Sequence, residues 1–155
     1  MPDSPTFDKE AAHKFFSANC FNAAWEYIDK AERTAEEDEM MIGLAHASVW
    51  HWTQRTDCAE TNMSIGYWQL SRVYALAGMA DNARRYGQLC LDTAPADQPF
   101  FVGYAYEALA RAESVAGNAE KSNEYLAQAK EQAASVTDAE DKKLLDDDLG
   151  ALSES

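Results

Sequence analysis

Glycine and proline are scarce in this chain, 7 and 4 among 155 residues. Few helix breakers remain, and helix is favoured throughout. Cysteine is scarcer still. Cys20, Cys58 and Cys90 are odd in number, far apart and without a Cys-x-x-Cys pair. That pattern indicates neither a disulfide framework nor a zinc site, and reduced thiols in a cytoplasmic protein are the expectation. No apolar run reaches the roughly 18 residues of a membrane span. Residues 1–10 lack the basic-then-apolar form of a secretory signal. Basic residues are outnumbered 13 to 27, giving a net charge of −14. A surface this acidic repels nucleic acid and anionic membrane, so neither is expected as a partner. No Val/Ile/Thr alternation marks a strand, and no Gly/Ser/Pro linker divides the chain, so residues 1–155 read as one all-α domain. Signatures of catalysis are also missing. There is no GxSxG, glycine-rich phosphate loop, HExxH or calcium loop, and no metal or cofactor is expected.

What is present is a repeat. Tyr67, Leu70, Ser71, Arg72, Ala77 and Gly78 correspond to Tyr106, Leu109, Ala110, Arg111, Ala116 and Gly117, each pair 39 residues apart. A fixed period of this size marks stacked helical hairpins. About eight helices are expected. Ser4 or Thr6 caps the first, with Pro5 in its opening turn, and Asn19 and Asn22 break it from a second carrying Phe21, Trp25 and Ile28. Thr34-Ala35-Glu36-Glu37 is a capping box that opens a third helix reaching about Arg55. Helices near 61–77, 81–93, 98–117 and 119–136 follow. Gly78 and Gly117 supply the left-handed residue that ends a helix. Thr137-Asp138-Ala139-Glu140 reads as a second capping box before a final helix with Leu144, Leu145, Leu149 and Leu152, and Ser153–Ser155 is expected to fray.

The segment Met63 to Ala133 resembles the tetratricopeptide repeats. The first copy carries Tyr67, Leu70, Ser71, Tyr74, Ala83, Cys90 and Pro95 at the family's offsets, and the second carries Tyr106, Leu109, Ala110, Ser122, Leu126 and Ala129. The clearest repeats span 64–97 and 103–136. Departures occur at Glu113, where a bulky residue is expected, and at Gly87, where an aromatic is expected. The period also exceeds the usual ~34 residues, with the extra length between Ala94 and Phe100. The resemblance implies a short right-handed solenoid that binds a peptide, a protein or a small anionic ligand in a concave groove. Carried over position by position, the groove residues are Ile65, Trp68 and Arg72 in the first copy and Tyr104, Glu107 and Arg111 in the second. Helical spacing agrees. Trp68 and Arg72, four apart, share a face away from Tyr67, Leu70 and Tyr74.

Two arginines and two aromatics on one face suit a carboxylate-bearing partner. The alternative is that Glu107–Arg111 is a plain ion pair within a helix and Arg72 meets a neighbouring carboxylate. His46, Trp50, His51 and Trp52 form the densest aromatic–polar group. His46 and Trp50 are placed at the groove, or else against the first helices, while Trp52 and His51 are placed in the core or between hairpins. His13 stands alone, and Ser48 beside His46 or His51 is the loosest form of a nucleophile and base. Asp146–Asp148 and Glu36–Glu39 read as solvated charge. A non-catalytic binding scaffold is the first reading. An enzyme or sensor with a pocket at His46, Glu107 and Arg111 is the second. A homo-oligomeric structural module is the third, since solenoid ends expose apolar surface that a homodimer would cover.

Overall fold

Seven helices run along the chain in a computed structural model that describes residues 6–154: α1 (Lys9–Ile28), α2 (Ala35–Thr53), α3 (Glu60–Leu76), α4 (Ala80–Thr93), α5 (Pro99–Val115), α6 (Ala119–Ala134) and α7 (Ala139–Ser153). The described residues contain no strand, and no helix is long and apolar enough to cross a membrane. Neighbours in sequence are neighbours in space. The pairs α1/α2, α3/α4 and α5/α6 pack most closely, α4 lies against α5, and α3 also meets α5 directly.

The count is seven rather than eight because α1 does not break at Asn19 or Asn22. Both side chains face solvent, while Ser17, Ala24 and Ile28 form one buried stripe through the whole helix. An exposed asparagine lowers helix propensity by only about 0.7 kcal/mol, which tertiary packing overrides. The start of α1 differs as well. Asp8 is its cap and accepts a hydrogen bond from the Ala11 amide at 3.0 Å. Thr6 therefore precedes the cap, and Ser4 and Pro5 lie outside the described residues. The Thr34 capping box forms as expected: Thr34 Oγ1 accepts from the Glu37 amide and Glu37 Oε2 from the Thr34 amide, both at 3.2 Å. At α7 the cap is Asp138, which accepts from the Asp141 amide at 2.9 Å. Ser153 remains inside α7, and Ser155 is outside the described residues.

The α3/α4 and α5/α6 hairpins are built from corresponding contacts. Gly78 and Gly117 take φ of 77° and 82°. Beyond them, the Met79 amide donates to Tyr74 O and the Asn118 amide to Glu113 O, both at 2.9 Å. Tyr67 stacks on Tyr86 and Tyr106 on Tyr125, with centroids 6.3 and 6.2 Å apart. A buried hydroxyl ties the helices of each pair, with its polarity reversed. Ser71 Oγ donates to Ala83 O, whereas Ser122 Oγ donates to Ala110 O, both at 2.8 Å. Glu113, the departure from the bulky pattern, is held instead by Arg84 at 2.6 Å and Asn118 at 2.8 Å. Those partners hold its carboxyl pKa below the usual value, the Arg84 hydrogen bond contributing most.

A Cβ at Gly78 or Gly117 would meet nothing within 4 Å, so an alanine there strains only the backbone. Gly78→Ala and Gly117→Ala should each cost about 1–2 kcal/mol, the left-handed penalty of an L-residue. Urea unfolding of the two variants checks this, and similar losses at both sites are expected.

Three apolar clusters hold the helices together. Ala24, Ile28, Met41, Ala45, Leu70 and Val73 join α1, α2 and α3. Ala75, Ala83 and Ala112 bring α3, α4 and α5 into close approach. Ala110, Leu126, Ala129, Ala133, Val136, Leu145, Leu149 and Leu152 seat α7 on α5 and α6. Leu144, read with the inward leucines, is 54% exposed. Leu70 and Leu109 are buried as expected, while Tyr67, Tyr74 and Trp52 are half-buried.

Candidate functional site

The direct packing of α3 on α5 sets corresponding turns of the two helices side by side, so residues 39 apart in sequence touch. Trp68 Nε1 donates to Glu107 Oε2 at 2.9 Å. Arg111 donates to Glu107 Oε1 from Nε at 3.1 Å and from Nη2 at 2.5 Å. Arg72 Nη1 lies 3.7 Å from the same oxygen, with its guanidinium 5.9 Å from the centre of the Trp68 ring. Glu107 is fully buried, whereas both arginine side chains are 20% exposed.

Two guanidinium groups thus lean on one carboxylate, and Asp148 acts on Arg72 from farther away. Arg72 Nε is buried with no hydrogen-bond partner among the described residues. Burial, then the nearby Arg111 charge, pull the Arg72 pKa below its usual value, while Glu107 and Asp148 oppose them. Arginine stays charged regardless. The alternative reading is thus what the geometry shows: Glu107–Arg111 is an ion pair within α5, and Arg72 meets the same carboxylate from the neighbouring α3.

Trp68 also lines a cavity of about 250 Å³. Its walls are Trp25 of α1, Trp68 of α3, and Phe100, Phe101 and Tyr104 of α5, with Ser64 and Cys90 behind them. Ile65 and Leu144, 40% and 54% exposed, stand where it meets solvent. Asp148 of α7 completes it, and Tyr104 Oη donates to Asp148 Oδ2 at 2.7 Å. Burial, then that carboxylate, raise the Tyr104 pKa, so the phenol stays protonated. The Cys90 thiol is pushed up to about 12 by burial and shares a polar contact with Ser64 Oγ at 3.5 Å. A thiol so seldom ionised is a poor nucleophile.

Of the residues the sequence assigns to the groove, Ile65, Trp68, Arg72, Tyr104, Glu107 and Arg111 come together on this face. His46 and Trp50 do not join them. His46 Nε2 is 2.8 Å from Tyr74 Oη, and its ring meets Tyr86 edge-on. Burial lowers its pKa. No hydrogen bond, ion pair or ring contact among the described residues links His46 to Glu107 or Arg111. Trp50 is 55% exposed and packs on His13 and His51. His13 is therefore not isolated, since its Nδ1 lies 2.9 Å from His51 Nδ1. Ser48 Oγ donates to Ser17 O at 2.7 Å, which places it in the core rather than beside either histidine.

The sequence reading missed Asp148 and the aromatic walls from Trp25, Phe100 and Phe101. A signal for Asp148 was present. Leu145, Asp148, Leu149 and Leu152 follow i, i+3, i+4, i+7 spacing, so Asp148 occupies the inward stripe of α7. Asp146 and Asp147 do read as solvated charge, paired with Lys142 and Lys143 one turn earlier. No family model, curated protein or solved structure matches this chain.

Proposed function

We propose that this chain is a non-catalytic binding module of tetratricopeptide-like hairpins, stacked as a short right-handed solenoid, which takes a carboxylate-bearing peptide or small ligand on the shared face of α3 and α5. The observation that carries this reading is two partly exposed guanidinium groups sharing one buried carboxylate. An incoming carboxylate offers bidentate acceptors to donors that Glu107 leaves free. The neighbouring apolar cavity receives the side chain next to that carboxylate. The corresponding contacts of the two hairpins support the repeat reading, and three free cysteines fit a reducing cytoplasm.

The test compares short peptides ending in an apolar residue, with a free or an amidated C-terminus, by titration calorimetry. The free acid should bind more tightly and lose affinity as salt rises. Arg72→Ala and Arg111→Ala should each cost about 1.5–3 kcal/mol of binding for a charged hydrogen bond. Arg→Lys should restore only part, because the planar fork is lost. Equal binding of acid and amide would remove the anion from the reading.

The homo-oligomeric alternative draws on a different surface. Phe15, Phe16 and Trp50 are 59%, 43% and 55% exposed on the α1/α2 hairpin. Sedimentation equilibrium decides it, with a concentration-dependent dimer lost on Phe15→Ser as the result it requires.

A further inference from the structure

We infer that the cavity between α1, α3, α5 and α7 is a preformed site for an uncharged aromatic group of two fused rings. This names the side chain that the binding reading places there, and it rests on that reading only for the carboxylate such a ligand would also carry.

The walls hold the cavity open because their polar edges are already tied down. Trp68 Nε1 donates to Glu107 Oε2 at 2.9 Å and Tyr104 Oη to Asp148 Oδ2 at 2.7 Å, which fixes both rings. Trp68 and Tyr104 are inclined at 78°, Phe100 and Tyr104 at 77°, and Phe100 and Phe101 at 88°. Rings crossing at such angles do not stack flat to fill the space between them. At the mouth, Ile65 and Leu144 are 40% and 54% exposed, and an occupant covers that apolar surface.

The same ties decide polarity. Ser64 Oγ donates to Cys90 O at 3.2 Å, the indole and the phenol have their acceptors, and burial keeps the Cys90 thiol neutral. Asp148, the one charged residue of the wall among the described residues, accepts from Tyr104 and acts on Arg72. An occupant therefore meets mainly ring carbon, and a charged group would lose its water without return. Size selects further. An apolar cavity of about 150 Å³ stays dry and takes up benzene. This one, at about 250 Å³, has room for a second ring. Shape favours an aromatic group over a saturated one. Inclined walls present faces and edges together, and a flat ring system answers them with its own edges and faces.

The full chain is titrated by calorimetry with 2-naphthol and with decahydro-2-naphthol, its saturated counterpart. Both are uncharged at neutral pH, and each carries one hydroxyl that stays in water at the mouth. Transfer from water alone favours the saturated compound, whose apolar surface is larger. The site should reverse that order and bind one 2-naphthol per chain about tenfold more tightly, as several ring–ring contacts imply. Leu144→Trp and Ile65→Trp each fill the mouth from an exposed position, and circular dichroism establishes that they fold. Each should lower the 2-naphthol affinity about tenfold through lost apolar contact with the wall. No binding of 2-naphthol, binding of the saturated compound as tight or tighter, or an affinity unchanged in both mouth variants overturns the inference. 2-Naphthylacetate separates this site from the carboxylate reading. If it binds no more tightly than 2-naphthol, the carboxylate reading fails and the aromatic site stands. If 2-naphthol fails while a peptide with a free, aliphatic C-terminal residue binds, the aromatic site is removed and the carboxylate reading stands.

Discussion

Replacing Glu107 with alanine should destabilise the protein by about 3–5 kcal/mol, the range for removing one partner of a buried ion pair. Glu107 accepts the hydrogen bond of Trp68 Nε1 and is the carboxylate that Arg72 and Arg111 share. Its removal leaves an unpaired indole N–H and two adjacent guanidinium charges, each with 20% of its side chain exposed to share with water. Glu107→Gln keeps an acceptor for Trp68 and loses the charge, so its cost should fall between alanine and wild type. Adding Arg111→Met to Glu107→Gln should cost less than the sum of the two single changes, because the second removes a charge the first has stranded. Urea unfolding at neutral pH measures all four proteins. A loss below about 1 kcal/mol for Glu107→Ala would mean that water, rather than Glu107, solvates the two arginines. The bundle would then hold together without the cluster.

Much of this cluster was legible because it depends on period and helical angle. A step of 39 residues pairs Trp68 with Glu107 and Arg72 with Arg111, and the 3.6-residue turn puts each pair on one face. Gly78 and Gly117 were legible for a local reason, since a helix end that needs positive φ selects glycine. Whatever depends on the third dimension alone was not. Asn19 and Asn22 look like breakers in sequence, and only the burial of Ser17, Ala24 and Ile28 shows that α1 runs through them. Trp25 reaches the cavity from a helix that shows no copy of the repeat. Asp148 lies among three consecutive aspartates whose charge obscures its inward position. His46 and Trp50 were left between the groove and the first helices for a related reason. Their composition suggested a site, but α2 directs them to Tyr74 and to His13, away from the α3/α5 face.

The second large effect joins a departure from the repeat pattern to the core. Gly87 stands where the resemblance expects an aromatic, and the reason is Leu109. A Cβ built on Gly87 would come within 3.0 Å of Leu109 Cδ2 and 3.3 Å of its Cγ. The α4 helix can therefore approach α5 closely because Gly87, lacking a side chain, leaves its space to Leu109, which is 1% exposed. Leu109→Ala should cost about 2–5 kcal/mol, from lost transfer energy and the cavity left behind. Gly87→Ala alone should cost about 1–3 kcal/mol through overpacking, partly offset by alanine's higher helix propensity, worth about 1 kcal/mol. Together the two changes exchange volume across one contact, so the double variant should be more stable than the sum predicts, by roughly 0.5–3 kcal/mol for touching residues. Urea unfolding of the single and double variants gives this coupling directly. Strict additivity would mean that Leu109 and Gly87 do not share the space. A loss below about 1 kcal/mol for Leu109→Ala would place that side chain at the surface, which would shift the register of α5 and move Glu107 and Arg111 off the face they share with Trp68 and Arg72.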